Sequence, residues 1–276
     1  MRSWRECREG RLASVVGGRV HTLGMENHGL RFLLILSIIT APLAAGAFIF
    51  SFDSSRHFSQ FAPTFDGYVP PRDIGAIVDA TQGSTVAISC DVKGERDLGG
   101  LGSGWAIDLP EDEKKLDSEF KTLIVTNHHV IEDCVNDPRA KVQVAQFKGE
   151  WSASYIIRFD KKNDLALLGA AVKIPALELS EWAPLPGYWT MAVGTADGYE
   201  GSVAIGTALN LDNNEVLITN NVSSGNSGGP LVDNEGNVVG TVTWSSTREQ
   251  YNGAMSLDAM CAVIIKCEGK DFWKWE

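Results

Sequence analysis

Cysteine, histidine and proline are all scarce in this chain: five, five and ten among 276 residues. No two cysteines form a Cys-x-x-Cys pair, which excludes a zinc-knuckle core, and no metal or other cofactor is expected. Basic residues are outnumbered, 24 against 35 acids. Six arginines against three glutamates give residues 1–31 a charge of +3, which leaves −14 for the rest. So acidic a body repels a phosphate backbone and excludes nucleic acid as a partner. Repeats with a period of about 20–50 residues and low-complexity tracts are absent, which removes solenoids and disordered arrays. Long apolar runs are absent too, with one exception: residues 32–52, 21 positions without a charge.

That exception sets the domain organisation. Residues 1–31 are a basic N-terminal region, and a start at Met25 would give it and the following segment ordinary signal-peptide length. Residues 32–52 have a positive flank, an apolar core, the helix breaker Pro42 and the small-x-small site Ala45-Gly46-Ala47. These are the marks of a cleavable signal peptide; uncleaved, the stretch is long enough to be a membrane anchor. Either way the remainder is expected outside the cytoplasm, secreted or periplasmic, touching a membrane only through this segment. Residues 53–72, with Pro63, Pro70 and Pro71, read as an exposed linker. Residues 73–276 read as one domain, long enough to bury about 70% of its unfolded surface.

Within that domain the pattern is all-β. Residues 85–89, 141–147, 201–208, 215–219 and 238–244 are β-branched or alternating apolar, and Asp212-Asn213-Asn214 and Asn234-Glu235-Gly236 suit hairpin turns. Helix is expected only near residues 73–81 and 258–266.

The chemistry begins at Gly225-Asn226-Ser227-Gly228-Gly229-Pro230, a serine among glycines directly before Leu231-Val232. Glycines let a backbone aim its N–H groups at one point, but a serine hydroxyl attacks only when a base takes its proton. His21 and His28 belong to the N-terminal segments and His57 to the linker, which leaves His128 or His129, where the apolar run 123–125 enters a polar turn. Asp164 opens the apolar run 165–168, an acid at a strand mouth that could fix the tautomer of an imidazole.

In the order His, Asp, Ser, these segments resemble the trypsin-like (chymotrypsin-fold) serine peptidases, and among them the HtrA-like group. Thr126-Asn127-His128-His129-Val130 looks like the histidine segment of the family and selects His129, the residue before the valine. Asp164-Leu165-Ala166-Leu167-Leu168 looks like its aspartate segment, 225–230 like its serine loop, and Gly102-Ser103-Gly104 like a strand opening upstream of the histidine. The resemblance covers residues 75–260 and implies two six-stranded antiparallel β-barrels with the site in the cleft between them. It implies a serine endopeptidase acting on polypeptides through an acyl-enzyme. Ser227 is then the nucleophile, His129 the base, Asp164 its orienting partner, and the N–H groups of Gly225 and Ser227 the oxyanion hole. Acid that protonates His129 should abolish activity.

The departures from the family pattern are informative as well. Asn226 stands where the animal digestive enzymes carry the acid that pairs with a freshly cut N-terminus, so no zymogen switch of that kind is expected. Thr243-Trp244-Ser245 follows the strand that lines the primary pocket, with Trp244 as a wall or as core. Asn221 occupies the position at which trypsin-type enzymes hold a selecting acid, and no acid lies between Val216 and Asn226; small or apolar side chains are therefore the expected preference. The tail after Trp244 is too short for the PDZ domain common in HtrA-like proteins, so peptide sensing and trimer assembly do not carry over. Cys90, Cys134, Cys261 and Cys267 allow three pairings. The expected one joins Cys90 to Cys134 at the histidine loop and Cys261 to Cys267 in the tail. A continuous helix through the tail would oppose the second bridge, since six helical residues rise about 9 Å. Two alternatives share the same fold: a module that binds proteins without turnover, and an esterase. The α/β-hydrolase order Ser, Asp, His does not apply here.

Overall fold

A computed structural model of the chain describes residues 66–91, 101–108, 120–212, 214–265 and 267. The basic region, the apolar segment and residues 53–65 of the expected linker lie outside them. Helix α1 (Ile74–Ser84) leads into six strands, β1 (Thr85–Asp91), β2 (Leu101–Ile107), β3 (Thr122–Thr126), β4 (Lys141–Gln146), β5 (Ser152–Asp160) and β6 (Leu165–Ala170), with α2 (His128–Asn136) between β3 and β4. Six more follow: β7 (Trp189–Ala196), β8 (Tyr199–Asp212), β9 (Glu215–Ile218), β10 (Pro230–Val232), β11 (Val238–Ser245) and β12 (Asn252–Ser256), then α3 (Leu257–Val263). The first set closes into an antiparallel barrel in the order β1-β2-β3-β6-β5-β4, the second in the order β10-β11-β12-β9-β8-β7. The protein is thus all-β with two six-stranded barrels, as its sequence suggests.

Strand periodicity explains how the barrels meet. Side chains alternate between the faces of a strand, yet β2 and β6 are buried on both faces. Along β2, Ala106 points into the first barrel while Trp105 and Ile107 point to the seam between barrels; along β6, Ala166, Leu168 and Ala170 face inward while Leu165 and Leu167 face the seam. The seam also takes Trp189, Met191, Val193, Val232 and Val238 from the second barrel. Trp105 is fully buried and donates from Nε1 to Thr241 Oγ1 at 3.1 Å, so the indole is satisfied across the seam.

Three local expectations need correction. Part of the segment expected as linker is bonded to the second half of the domain: Trp189 N donates to Gly67 O at 2.7 Å, and Asn234 Nδ2 donates to Asp66 O and Val69 O, each at 2.7 Å. Tyr68 also meets Tyr188 edge-on, with ring centroids 4.6 Å apart. The histidine pair lies in a helix, α2, not in a polar turn. Its buried residues Val130, Ile131 and Cys134 recur at helical spacing on the side that packs on the first barrel. The tail is not a continuous helix either. Helix α3 stops at Val263, and Ile264 and Ile265 are both buried against the seam. The amides of both return to Met260 O, and the chain folds back so that Cys261 and Cys267 are joined with their Cα atoms 5.2 Å apart.

The turn after β10 is built on a buried acid. Asp233 Oδ1 accepts from the amides of Glu235 and Asn237, each at 2.9 Å, and Gly236 supplies the left-handed residue at φ +87°. Burial raises the Asp233 pKa, and the Ser180 hydroxyl and the turn amides offset only part of that shift. The folded state therefore binds the proton more tightly than the unfolded state. The stabilisation it brings is complete below the ordinary carboxylate value and is lost as pH rises through the raised one. Urea titrations of wild type and Asp233→Asn at about pH 4 and pH 7 should show the wild type losing ground to the variant at the higher pH. An identical difference at both pH values would contradict this.

Candidate active site

The end of β3, the start of α2 and the turn before β6 converge at His129. The N-cap of α2, Asn127, makes no side-chain capping bond, so the first amides of the helix need another acceptor. Asp164 supplies it: Oδ1 accepts from His129 N at 2.8 Å, and Oδ2 lies 2.6 Å from His129 Nδ1. One carboxylate thus caps the helix and holds the ring of the same residue. The arrangement assigns the Nδ1 proton to the bond with Asp164 and leaves Nε2 as a free acceptor. The helix N-terminus favours the negative charge. Asp164 reaches this pose from φ +51°, a left-handed conformation that aspartate adopts more readily than most side chains. The turn before it is braced by Asp160 Oδ1, which accepts from Asn163 N at 2.7 Å and from Asn163 Nδ2 at 2.9 Å. Asn127 Nδ2 donates to Asp164 O at 2.8 Å and to Thr243 Oγ1 at 3.2 Å, which links this corner to the second barrel. The neighbouring His128 is buried against the Phe159 ring, 5.0 Å between centroids.

Ser227 sits in the loop before β10, half-buried, with its hydroxyl donating to Thr243 O at 3.2 Å. The carbonyls around it are all engaged. Ser224 O accepts from Asp197 N at 2.7 Å, Gly225 O from Ser103 Oγ at 2.6 Å, Asn226 O from Gly229 N at 2.9 Å, and Ser227 O from Ser103 N at 2.8 Å. A trans peptide points its N–H opposite to its C=O, so anchoring the carbonyls of Ser224 and Asn226 turns the N–H groups of Gly225 and Ser227 the other way. Neither N–H has an acceptor among the described residues. Gly225, at φ +92°, has room for no side chain: a Cβ would stand 2.1 Å from Thr195 O. Asn226 is buried, and its Oδ1 lies where a side chain at Gly194 would begin.

The residues expected to line the substrate pocket separate. Thr243 faces the site through its carbonyl, as described, and its hydroxyl donates to Thr241 O at 2.9 Å. Trp244 is half-buried, lies over Gly253, meets Tyr251 edge-on and donates from Nε1 to Glu215 Oε2 at 3.1 Å; it is neither free wall nor sealed core. Asn221 is exposed, whereas its neighbour Asn220 is fully buried and bonded to Thr190 and to Ala204 O. Three residues that brace the serine loop, Ser103, Thr195 and Asp197, escape a reading of the sequence. Ser103 stands inside the Gly-Ser-Gly segment, but that segment announces a strand and not the errand of a hydroxyl.

Two antiparallel barrels with an imidazole–carboxylate pair on one and a glycine-flanked serine on the other define the chymotrypsin-type architecture. The model of the trypsin-like peptidase domain family matches residues 102–240, and the chain belongs to that family. A probable periplasmic serine endoprotease, DegP-like, of Chlamydia muridarum is 32% identical over 131 residues, covering 44% of this chain and 25% of that protein. The crystal structure of Deg5 superposes with a TM-score of 0.55 at 25% identity, over 68% of this chain and 90% of that one. A serine endoprotease from Yersinia pestis, at 23% identity, shares the fold with a TM-score of 0.57, over 73% of this chain and 65% of that one. The chain spans about a quarter of the length of the first curated relatives it matches.

Cys90, at the end of β1, is bonded to Cys134 in the last turn of α2, with Cα atoms 5.7 Å apart and a sequence separation of 44. The bridge pins to the first barrel the helix whose first turn holds His129. Closing a loop of that size removes about 4 kcal/mol of unfolded-state entropy on the chain-entropy account. Replacing both cysteines by serine should lower the urea-unfolding free energy by about 3–4 kcal/mol. A loss below about 1 kcal/mol would show that packing alone fixes α2.

Proposed function

We propose that the protein is a serine endopeptidase acting outside the cytoplasm, with His129, Asp164 and Ser227 as its triad. One observation carries the reading: the Asp164 carboxylate grips both His129 N and His129 Nδ1 and so leaves Nε2 as a base. Similarity to the probable periplasmic serine endoprotease of Chlamydia muridarum supports both the reaction and the compartment. Residues 32–52 act as the export signal or, uncleaved, as the anchor.

In this reading the Ser227 hydroxyl leaves Thr243 O and gives its proton to His129 Nε2 as Oγ attacks the scissile carbonyl carbon. The oxyanion that forms is held by the N–H groups of Gly225 and Ser227, each worth about 3 kcal/mol in enzymes where one such donor was removed. Asp164 stabilises the imidazolium, which then protonates the leaving amine; water enters by the same route and releases the acyl group. Polypeptides are the substrates. With Asn221 neutral and no acid between Val216 and Asn226, that segment offers no selecting charge for a basic side chain, and small or apolar residues are preferred.

A fluorophosphonate probe should label the purified protein at Ser227, and Ser227→Ala should abolish both labelling and casein cleavage. Absence of Ser227-dependent labelling, with or without added peptide, would favour a binding module on the same fold; labelling with ester but no peptide hydrolysis would favour an esterase. Peptide-library profiling should return small and apolar residues before the cut, and a dominant preference for arginine would refute the pocket assignment.

A further inference from the structure

Ser103 has no exposed surface and belongs to β2 of the first barrel, yet its polar atoms reach the serine loop and the strand that leads to His129. Ser103 N donates to Ser227 O at 2.8 Å, and Ser103 O accepts from Thr126 Oγ1 at 2.6 Å. The hydroxyl accepts from Thr195 N at 2.9 Å and donates to Gly225 O at 2.6 Å. From Thr195 the chain runs two residues to Asp197, whose N–H holds Ser224 O at 2.7 Å. The path Ser103 Oγ, Thr195, Asp197, Ser224, Gly225 and back to Ser103 Oγ is therefore a closed ring around the peptide that carries the Gly225 N–H.

We propose that Ser103 is a positioning residue for the oxyanion hole, an inference that rests on the reading of Ser227 as nucleophile. The hydroxyl ties the β7–β8 hairpin to the serine loop, so the donor that fixes Ser224 O and the acceptor at Gly225 O keep one spacing. Removing it leaves Thr195 N and Gly225 O buried and without partners. Gly225, at φ +92° and without a side chain, is the residue on the ring freest to turn. Its N–H then leaves the direction in which charge develops during attack, while the surfaces that bind substrate stay where they are.

The test compares wild type, Ser103→Ala and Ser103→Cys in peptide hydrolysis, in binding of a peptide boronate that mimics the tetrahedral state, and in binding of a product peptide. Ser103→Ala should lose about 10- to 100-fold in kcat while KM stays within about threefold. Boronate affinity should fall in step with kcat, product-peptide affinity should hold, and the cysteine variant, with its weaker donor, should lie between. A variant that matches wild type in kcat overturns the inference, and so does an equal loss of boronate and product binding, the mark of general misfolding. Should Ser103→Ala fail to fold, Ser103→Cys decides: reduced kcat with unchanged product binding supports the role, and wild-type kcat overturns it. Wild-type protein without turnover or Ser227-dependent labelling would bring down the peptidase reading as well, whereas wild-type kcat in Ser103→Ala brings down this inference alone.

Discussion

Burial of β2 and β6 on both faces is the constraint on which the rest of the structure depends. A barrel strand that faced solvent outward would leave two independent barrels, and side chains contributed by each could not hold ångström-scale registry. Here the outward faces of β2 and β6 meet β7, β10 and β11 in one apolar seam, and Trp105 adds a hydrogen bond across it. Residues at or beside the ends of these strands inherit that rigidity. Ser103 lies two residues before Trp105, and Asp164 directly before Leu165. Ser227 lies three residues before β10, and Thr243 is on β11.

The electrostatics of the corner depend on one carboxylate. Asp164 answers the unpaired amides at the start of α2, and in doing so it is drawn to the positive end of the helix and against the imidazole. Capping and ring orientation are the same interaction, so the geometry that stabilises the helix also sets the tautomer. Lys161 and Glu132 form an ion pair nearby at 2.8 Å. Lys161 holds the Glu132 carboxyl below its ordinary value, and the pair is too exposed to contribute more than a surface bridge does.

The sequence made much of this legible, for reasons that differ by feature. Strands such as Val238–Ser245 announced themselves through β-branched runs, and the barrel count followed from resemblance, not from periodicity. Helix α2 was not legible because nine residues with three or four apolar positions look like the end of a strand plus a turn; only the packing of Val130, Ile131 and Cys134 on the first barrel decides it. The break in α3 was hidden for a related reason, since Ile264 and Ile265 satisfy a helical pattern, and only the return of both amides to Met260 O marks the end of the helix. The segment 66–72 read as spacer because its prolines obscure how its carbonyls are used by Trp189 and Asn234. At the site, residue types and order named His129, Asp164 and Ser227, but the hydroxyl of Ser103 and the amide of Asp197 were silent, because a hydrogen bond to a sequence-distant backbone group leaves no trace in composition.

The same bonds explain why an uncharged Asn226 suits this loop. A buried carboxylate in its position would carry a large desolvation cost and would need a cation brought to it. The side chain of Asn226 instead fits beside Gly194, in space that strand β7 leaves open by having no Cβ there, and its carbonyl is taken by Gly229 N. Every carbonyl from Ser224 to Ser227 is held by a neutral donor, two of the four bonds coming from Ser103. A loop fixed in this way needs no ion pair to keep its shape, so the proposed oxyanion hole depends on the integrity of the seam between the barrels and not on a charge delivered from elsewhere in the chain.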